Sequence, residues 1–152
     1  MRKNAQRPLV DSFSVAQAAR LSGLTLNMVN YLCRYDVVVP SASSERGRGK
    51  RRAFAYRDVL LLRVLSQLLK QGVSVLGLRR SLVAYRERGA SKTGIESCRY
   101  FVTDGYNVYF QDGGRLEDLS SGQRAFAFVL DMKPVRDALQ KEIGRVRLAG
   151  NA

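Results

Sequence analysis

The chain has 152 residues, of which 45% are apolar, so it can bury one compact core or, as we expect, the cores of two small units. No apolar run approaches the roughly 18 residues of a membrane span, and residues 1–12 lack the apolar centre of a signal peptide. We therefore predict a cytoplasmic protein without a membrane partner. The net charge of +13 favours a polyanionic partner, and nucleic acid suits it better than an acidic membrane surface.

The basic residues are concentrated in the N-terminal half of the chain. Residues 1–57 hold 11 Lys and Arg against 3 Asp and Glu, and residues 58–98 hold 7 against 3. Residues 99–152 are almost balanced, with 8 against 7. The sequence therefore predicts that the N-terminal half meets the polyanion and that the C-terminal third has another task.

The chain contains two cysteines and no histidine. Cys33 and Cys98 lie 65 positions apart, which is not the paired spacing of a zinc or iron–sulfur site. We therefore expect no metal and no cofactor. Cys33 is interpreted as a small apolar core residue in preference to a reactive thiol.

Two short helices are predicted near the N-terminus, after a loose basic arm over residues 1–12. The pattern Ser14-x-x-Gln17 is a capping box that starts the first helix, which ends at Ser22-Gly23. Thr25 is the predicted N-cap of a second helix that runs to about Tyr35. The apolar residues expected on the buried sides are Val15, Ala18, Ala19 and Leu21 in the first helix and Leu26, Val29 and Cys33 in the second.

Residues 40–55 combine turn-forming polar residues with five basic residues among positions 46–52, which suits a hairpin with a cationic tip. A third helix is predicted over residues 57–71. It is apolar on nearly every side and should be buried against more than one neighbour. A fourth helix is predicted over residues 74–88, and the small polar residues 89–97 form the predicted domain boundary.

Beyond this boundary the pattern changes to strands. Residues 99–103 and 106–111 flank Asp104-Gly105, which is a short hairpin signal, and residues 125–130 are predicted to form a buried strand. Pro134 is expected to open a last helix. The apolar face of that helix comprises Val135, Ala138, Leu139, Ile143 and Val146.

The expected fold class is α+β. Residues 13–89 are predicted to form an N-terminal winged helix-turn-helix domain with two further helices. Residues 98–152 are predicted to form a small antiparallel β unit that ends in a helix.

The outward face of the second predicted helix carries amides, a phenol and a guanidinium. A helix-turn-helix inserts such a face into the major groove, where Asn bonds adenine and Arg bonds guanine or phosphate. The basic segment that follows would flank this helix and neutralise phosphates. A solvated helix face and a disordered solubilising loop are the alternative interpretations. The predicted DNA-binding residues are Thr25, Asn27, Asn30, Tyr31, Arg34, Arg46, Arg48, Lys50, Arg51 and Arg52.

Residues 13–82 resemble the winged helix-turn-helix DNA-binding domain of the bacterial MerR family of transcriptional regulators. The matching pieces are FSVAQAARLSGLT, VNYLCRYDVVVP, RRAFAYRDV and LLKQGVSVLGLRRSL, in the family's order and spacing. The resemblance implies that the second helix contacts double-stranded DNA and that Arg52 sits on the phosphate backbone. The helix residues that it assigns to DNA are Asn27, Asn30, Tyr31 and Arg34.

The chain departs from the family pattern in three places. The family usually has Arg-Tyr-Tyr-Glu where residues 30–33 read Asn-Tyr-Leu-Cys, so the enlarged basic segment is expected to substitute for the missing arginine. Asp36 occupies the position of a family glycine. The family's long dimerisation helix and effector site are not visible after Ser97. The aromatic residues there are interpreted as core or dimer contacts in preference to a ligand pocket, namely Tyr100, Phe101, Tyr106, Tyr109, Phe110, Phe126 and Phe128.

An enzyme is disfavoured, because histidine is absent and acidic residues beside turns are routine turn formers, here Asp104, Asp112, Glu117, Asp118 and Asp131. A DNA-binding antitoxin or an excision-type accessory protein, whose C-terminal unit binds a protein, is the alternative. Because one small module reads few base pairs, we predict a homodimer on an inverted-repeat operator, held together by residues 98–152. A small-molecule or protein effector at this unit stays open.

Overall fold

The computed structural model describes residues 12–42, 51–87, 99–103, 108–111 and 128–151. These residues form an α+β fold in which helices come first and a small antiparallel sheet precedes the C-terminal helix. In chain order the elements are α1 (Val15–Ser22), α2 (Leu26–Arg34), α3 (Tyr56–Lys70), α4 (Val75–Glu87), β1 (Tyr100–Thr103), β2 (Val108–Gln111), β3 (Phe128–Asp131) and α5 (Met132–Asn151).

Helix α1 begins and ends as its sequence predicts. The Ser14 hydroxyl accepts from the Gln17 backbone N–H at 3.2 Å, and the Gln17 side chain accepts from the Ser14 backbone N–H at 2.9 Å. Gly23 follows the helix with φ +80°, a left-handed conformation that glycine adopts without steric cost. Both predicted ends of this helix are confirmed.

Helix α2 follows α1 after a short turn, with Thr25 as its N-cap. Its inner face buries Val29, Leu32 and Cys33, so the prediction is confirmed for Val29 and Cys33. It is wrong for Leu26, which is 47% exposed. Leu26 is the first residue of the helix and lies beyond the reach of the core that the later turns contact.

Helix α3 is the centre of the N-terminal half, and both α1 and α5 pack against it. Its fully buried leucines and valines face several directions, as the nearly continuous apolar sequence predicts. The helix starts at Tyr56, one residue before the predicted Arg57. Gly72, at φ +94°, reverses the chain after its last turn, and α4 then contributes Leu78 and Leu82 to the core.

The three strands pair in the order β2-β1-β3, and both pairings are antiparallel. Phe101 at the centre of β1 is fully buried and lies opposite Phe110 in β2 and Leu130 in β3. The predicted antiparallel pairing of β1 with β2 is confirmed. The predicted Asp104-Gly105 turn lies outside the described residues.

Helix α5 begins at Met132, two residues before the predicted start at Pro134. Asp131, the last residue of β3, accepts from the Lys133 backbone N–H at 3.0 Å and so caps the helix two residues before the predicted start. This hydrogen bond, together with Arg99, lowers the pKa of the Asp131 carboxyl. Pro134 falls in the first turn, where no helical partner exists for its missing N–H.

The predicted apolar face of α5 is buried at Val135, Leu139, Ile143 and Val146. This face packs against α1 and α3, and its residues belong to the same buried cluster as the N-terminal helices. The predicted domain boundary at residues 89–97 lies outside the described residues. The division into two domains therefore stays a prediction, while the buried core runs from one predicted domain to the other.

Candidate nucleic-acid interface

The outer face of α2 presents polar and aromatic groups to solvent. Asn27, Tyr31 and Arg34 are exposed, as their helical spacing predicts. The Tyr31 ring lies 4.7 Å from the ring of Tyr35, measured between centroids, so the two phenols form one tilted pair. This face offers an amide, two phenols and a guanidinium within about three helical turns, a set of groups that can bond base edges and phosphates.

Thr25 stands at the start of this face. Its hydroxyl accepts from the Met28 backbone N–H at 3.1 Å and so caps α2. The hydroxyl hydrogen is a separate donor, because capping uses the oxygen only as an acceptor. Thr25 therefore fixes the helix start and can also serve the predicted DNA contact.

The side chains of Asn30 and Arg52 join the face of α2 to the end of the basic segment. The Arg52 Nη1 donates to the Asn30 Oδ1 at 2.8 Å across 22 positions of sequence. Asn30 is half-buried, whereas Arg52 is exposed. The contact holds the Arg52 guanidinium beside the helix face and leaves the Asn30 amide nitrogen as a donor. Sequence reasoning placed both residues at the interface but did not predict this bond.

The two ends of the basic segment are tied to the helical core. Phe13 and Phe54 exchange two backbone hydrogen bonds of 2.8 Å, and the Ala42 backbone N–H donates to the Ala53 carbonyl at 3.2 Å. Phe13 and Phe54 are both buried. Arg51 and Arg52 are exposed just before this pair. The other predicted cations of the segment, Arg46, Arg48 and Lys50, lie outside the described residues.

A buried carboxylate fixes both ends of the segment from below. The Asp58 Oδ2 accepts from the Ser41 backbone N–H at 2.7 Å, from the Ser41 hydroxyl at 2.8 Å and from the Ala55 backbone N–H at 2.8 Å. Asp58 is only 6% exposed. Buried carboxylates need such donors, because an unpaired buried charge is costly. Sequence reasoning missed this role, although an Asp in the first turn of a helix is a known capping signal.

A second contact missed by sequence reasoning comes from α4. The Arg79 Nε donates to the backbone carbonyl of Tyr35 at 2.8 Å, at the C-terminal end of α2. Both Arg79 and its neighbour Arg80 are exposed. The basic surface therefore extends from Arg34 and Arg52 to α4. The only sequence signal was the doubled arginine on that helix.

Asp36 stands where the resembled family has glycine, and its backbone explains why. Its φ is +58°, a left-handed conformation that favours glycine and is tolerated by Asp and Asn. The turn lets the Val37 N–H donate to the Leu32 carbonyl at 2.9 Å. Val37 and Val38 are consequently carried back into the core.

Cys33 lies beneath the helix face. Its thiol is buried, and burial raises its pKa to about 11 although the nearby Arg52 charge opposes the rise. The thiol is therefore neutral at physiological pH and a poor nucleophile. This supports the interpretation of Cys33 as a core residue.

Within the described ranges, no three histidine, cysteine or carboxylate side chains are grouped so that they could hold a metal ion. In the same part of the chain, no helix combines the length and the apolar character needed to cross a membrane.

The chain is similar to curated proteins named as uncharacterized HTH-type transcriptional regulators, one from Mycobacterium bovis and others from two strains of Mycobacterium tuberculosis. The identity is 32% over 92 residues. The match covers 60% of this chain and 40% of each relative, so it spans less than half the length of those proteins. No protein-family model matches the chain.

Proposed function

We propose that this protein is a bacterial transcriptional regulator of MerR type that binds double-stranded DNA through a winged helix-turn-helix. The hydrogen bond from Arg52 to Asn30 carries this proposal, because it sets Arg52, at the end of the basic segment, beside the exposed face of α2. Similarity to proteins named as HTH-type transcriptional regulators supports DNA-binding regulation. The MerR type rests on the motif order and on Asp36, whose left-handed backbone fits the family's glycine position.

In this proposal α2 and the basic segment, residues 40–55, which forms the wing, have different tasks. The groups on the outer face of α2 enter the major groove, and Arg34 reads a base edge. Arg51 and Arg52, with the further cations of residues 43–50, hold the phosphate backbone. Thr25, Asn27 and Tyr31 complete the helix contacts. The protein acts by binding and not by catalysis, in the cytoplasm.

Binding-site selection from random duplex DNA is the first test. A single helix-turn-helix reads few base pairs, so the recovered motif should be an inverted repeat bound by a homodimer. β3 lies at one edge of the described part of the sheet and exposes Val129, 43% accessible, and it is our candidate for the dimer contact. A monomer in light scattering at tens of micromolar, or an asymmetric motif, would contradict the dimer.

Arg34→Ala then tests base reading on the selected motif. The substitution should cost about 1–3 kcal/mol on the selected duplex and little on random DNA. Arg145→Ala is the matched control, since Arg145 is an exposed arginine on α5, far along the chain from the proposed interface. An equal loss of binding free energy on both duplexes would show that Arg34 contacts only the DNA phosphate backbone. Lack of binding to any duplex would overturn the proposed function.

A further inference from the structure

A cleft of about 450 Å³ lies between α5 and the beginning of the N-terminal helical unit. This volume falls in the range of small-molecule sites. None of the described residues that we assign to DNA lines it. The described lining residues are Phe13, Tyr56, Gln140, Ile143, Gly144 and Arg147.

The lining defines the chemistry of a ligand. Phe13 and Tyr56 supply aromatic surface, and Ile143 supplies aliphatic surface. The Arg147 guanidinium carbon lies 5.7 Å from the centroid of the Phe13 ring, so a positive charge stands beside the aromatic wall. A planar aromatic group that carries a negative charge matches this combination.

Gly144 provides the room for such a group. A Cβ atom built on Gly144 would meet nothing within 4 Å, so the helix presents bare backbone to open space at this position. Glycine within a helix costs roughly 0.5–1 kcal/mol relative to alanine. The cost brings no packing in return, which is consistent with a surface kept clear for a ligand.

The cleft is connected to the proposed DNA-binding surface through one pair of residues. Phe13, in the wall of the cleft, exchanges two backbone hydrogen bonds with Phe54. Phe54 follows Arg52 by two residues, and Arg52 donates to Asn30 on α2. A ligand against the Phe13 ring would therefore press on the Phe13–Phe54 backbone pair, two residues from Arg52.

We propose that this cleft is an effector site for a small planar aromatic carboxylate, and that occupancy changes DNA affinity through the Phe13–Phe54 pair. The change in DNA affinity rests on the proposed function. The carboxylate pairs with Arg147 and the Gln140 amide, while the ring lies against Phe13 and Tyr56. The ligand changes the affinity for DNA only if it binds more tightly to one conformation of the basic segment than to another.

Methyl NMR tests the site without any use of DNA. The chain has two isoleucines, Ile95 and Ile143, so δ1-methyl labelling gives two signals, and Ile143 lines the cleft. Titration with 2-naphthoate should shift the Ile143 signal. Two matched probes, 2-naphthylmethylamine and cyclohexanecarboxylate, reverse the charge or remove the aromatic ring and should produce much smaller shifts. Absence of a 2-naphthoate shift at millimolar concentration, or equal shifts from all three probes, would overturn the proposal.

Three variants locate the binding. Gly144→Leu should fill the cleft and abolish the shift without unfolding the helix, since its side chain points into open space. Arg147→Gln should weaken the binding of 2-naphthoate by about tenfold, because a charge-assisted contact is lost. Lys141→Gln removes an exposed charge of the same helix outside the cleft and should change nothing. Equal weakening by Arg147→Gln and Lys141→Gln would show general charge attraction and contradict a specific site.

DNA affinity tests the coupling. Fluorescence anisotropy with saturating 2-naphthoate should change the Kd for the selected duplex, by about fivefold or more for a coupling of this kind, and Gly144→Leu should remove the change. An unaltered Kd for the selected duplex with the cleft occupied would overturn the coupling. The ligand site itself would then still be supported by the shift of the Ile143 methyl signal. A chain that binds no DNA would overturn the proposed function and the coupling together, and the methyl shift would still decide the cleft.

Discussion

The base of the basic segment and helix α5 use carboxylates in opposite ways. Asp58, beneath the segment, is buried and receives three hydrogen bonds from polar groups around it. On α5, Asp137 is exposed and pairs with Lys133, four residues earlier, at 2.9 Å. The first carboxylate fixes the position of a chain segment. The second neutralises a surface charge of its own helix.

The basic residues differ in the same way. Arg52 is held by a neutral amide, so the contact orients the guanidinium without cancelling its charge. Near the sheet, Arg99 pairs with Asp131 at 3.2 Å, and on α5 Arg145 lies 3.9 Å from Glu142. Arg52 therefore keeps its full charge in this contact, whereas the charges of Arg99 and Arg145 are partly neutralised by carboxylates.

Replacement of the buried carboxylate should give the largest effect. Asp58→Ala leaves the donors of Ser41 and Ala55 without their acceptor, and we expect a loss of about 2–4 kcal/mol in the free energy of unfolding. Asp137→Ala, the matched change on α5, should cost no more than about 0.5 kcal/mol. Urea unfolding monitored by circular dichroism measures both values. Equal losses in the two variants would contradict the different roles assigned to Asp58 and Asp137.

Asp36 gives a smaller effect on backbone conformation. Asp36→Gly should change the free energy of unfolding by less than about 1 kcal/mol, because relief of the left-handed conformation offsets the greater freedom of the unfolded chain. Asp36→Val places a β-branched residue at φ +58° and should cost more than about 1 kcal/mol. The same urea titrations compare the two variants. A Val variant as stable as the Gly variant would argue against a fixed turn at the end of α2.

Local patterns predicted most of the described fold. The capping box at Ser14, the cap at Thr25 and the apolar face of α5 each depend on residues close in sequence, and all three are confirmed. The early start of α5 was missed because Asp131 belongs to a strand and caps the helix at the same time. Leu26 was misassigned because helical spacing does not tell how far the core extends along the first turn.

The interface was predicted by residue type but not by its contacts. Arg52 and Asn30 were both assigned to DNA, yet their mutual hydrogen bond spans 22 positions and no local pattern encodes it. The same holds for Asp58, whose Ser41 partner lies 17 positions earlier. The packing of α5 on α1 and α3 likewise depends on contacts across nearly the whole chain.

The smallest effect concerns the thiol beneath the interface. The folded-state pKa of Cys33 is about 11, against 9.0 for the ordinary thiol. Between these values the Cys33 thiol has lost its proton in the unfolded chain but keeps it in the folded chain. The contribution of this thiol to the free energy of unfolding is therefore fully present below pH 9 and is lost as the pH rises towards 11. The wild type should therefore lose more stability over this window than Cys33→Ala does. Identical pH dependence of the two proteins in urea titrations would contradict a buried neutral thiol.

The measurement that tests the central claim most directly is the DNA affinity of Arg52→Ala compared with Arg145→Ala. Both substitutions remove one exposed arginine, but only Arg52 is oriented beside α2. Fluorescence anisotropy on the selected and on a random duplex, over a series of salt concentrations, gives affinity and salt slope together. Arg52→Ala should weaken both duplexes by a similar factor and make the slope of log affinity against log salt shallower by about one unit, while Arg145→Ala changes neither. Equal effects of the two substitutions would show that only total charge matters and would contradict an interface built from α2 and the basic segment.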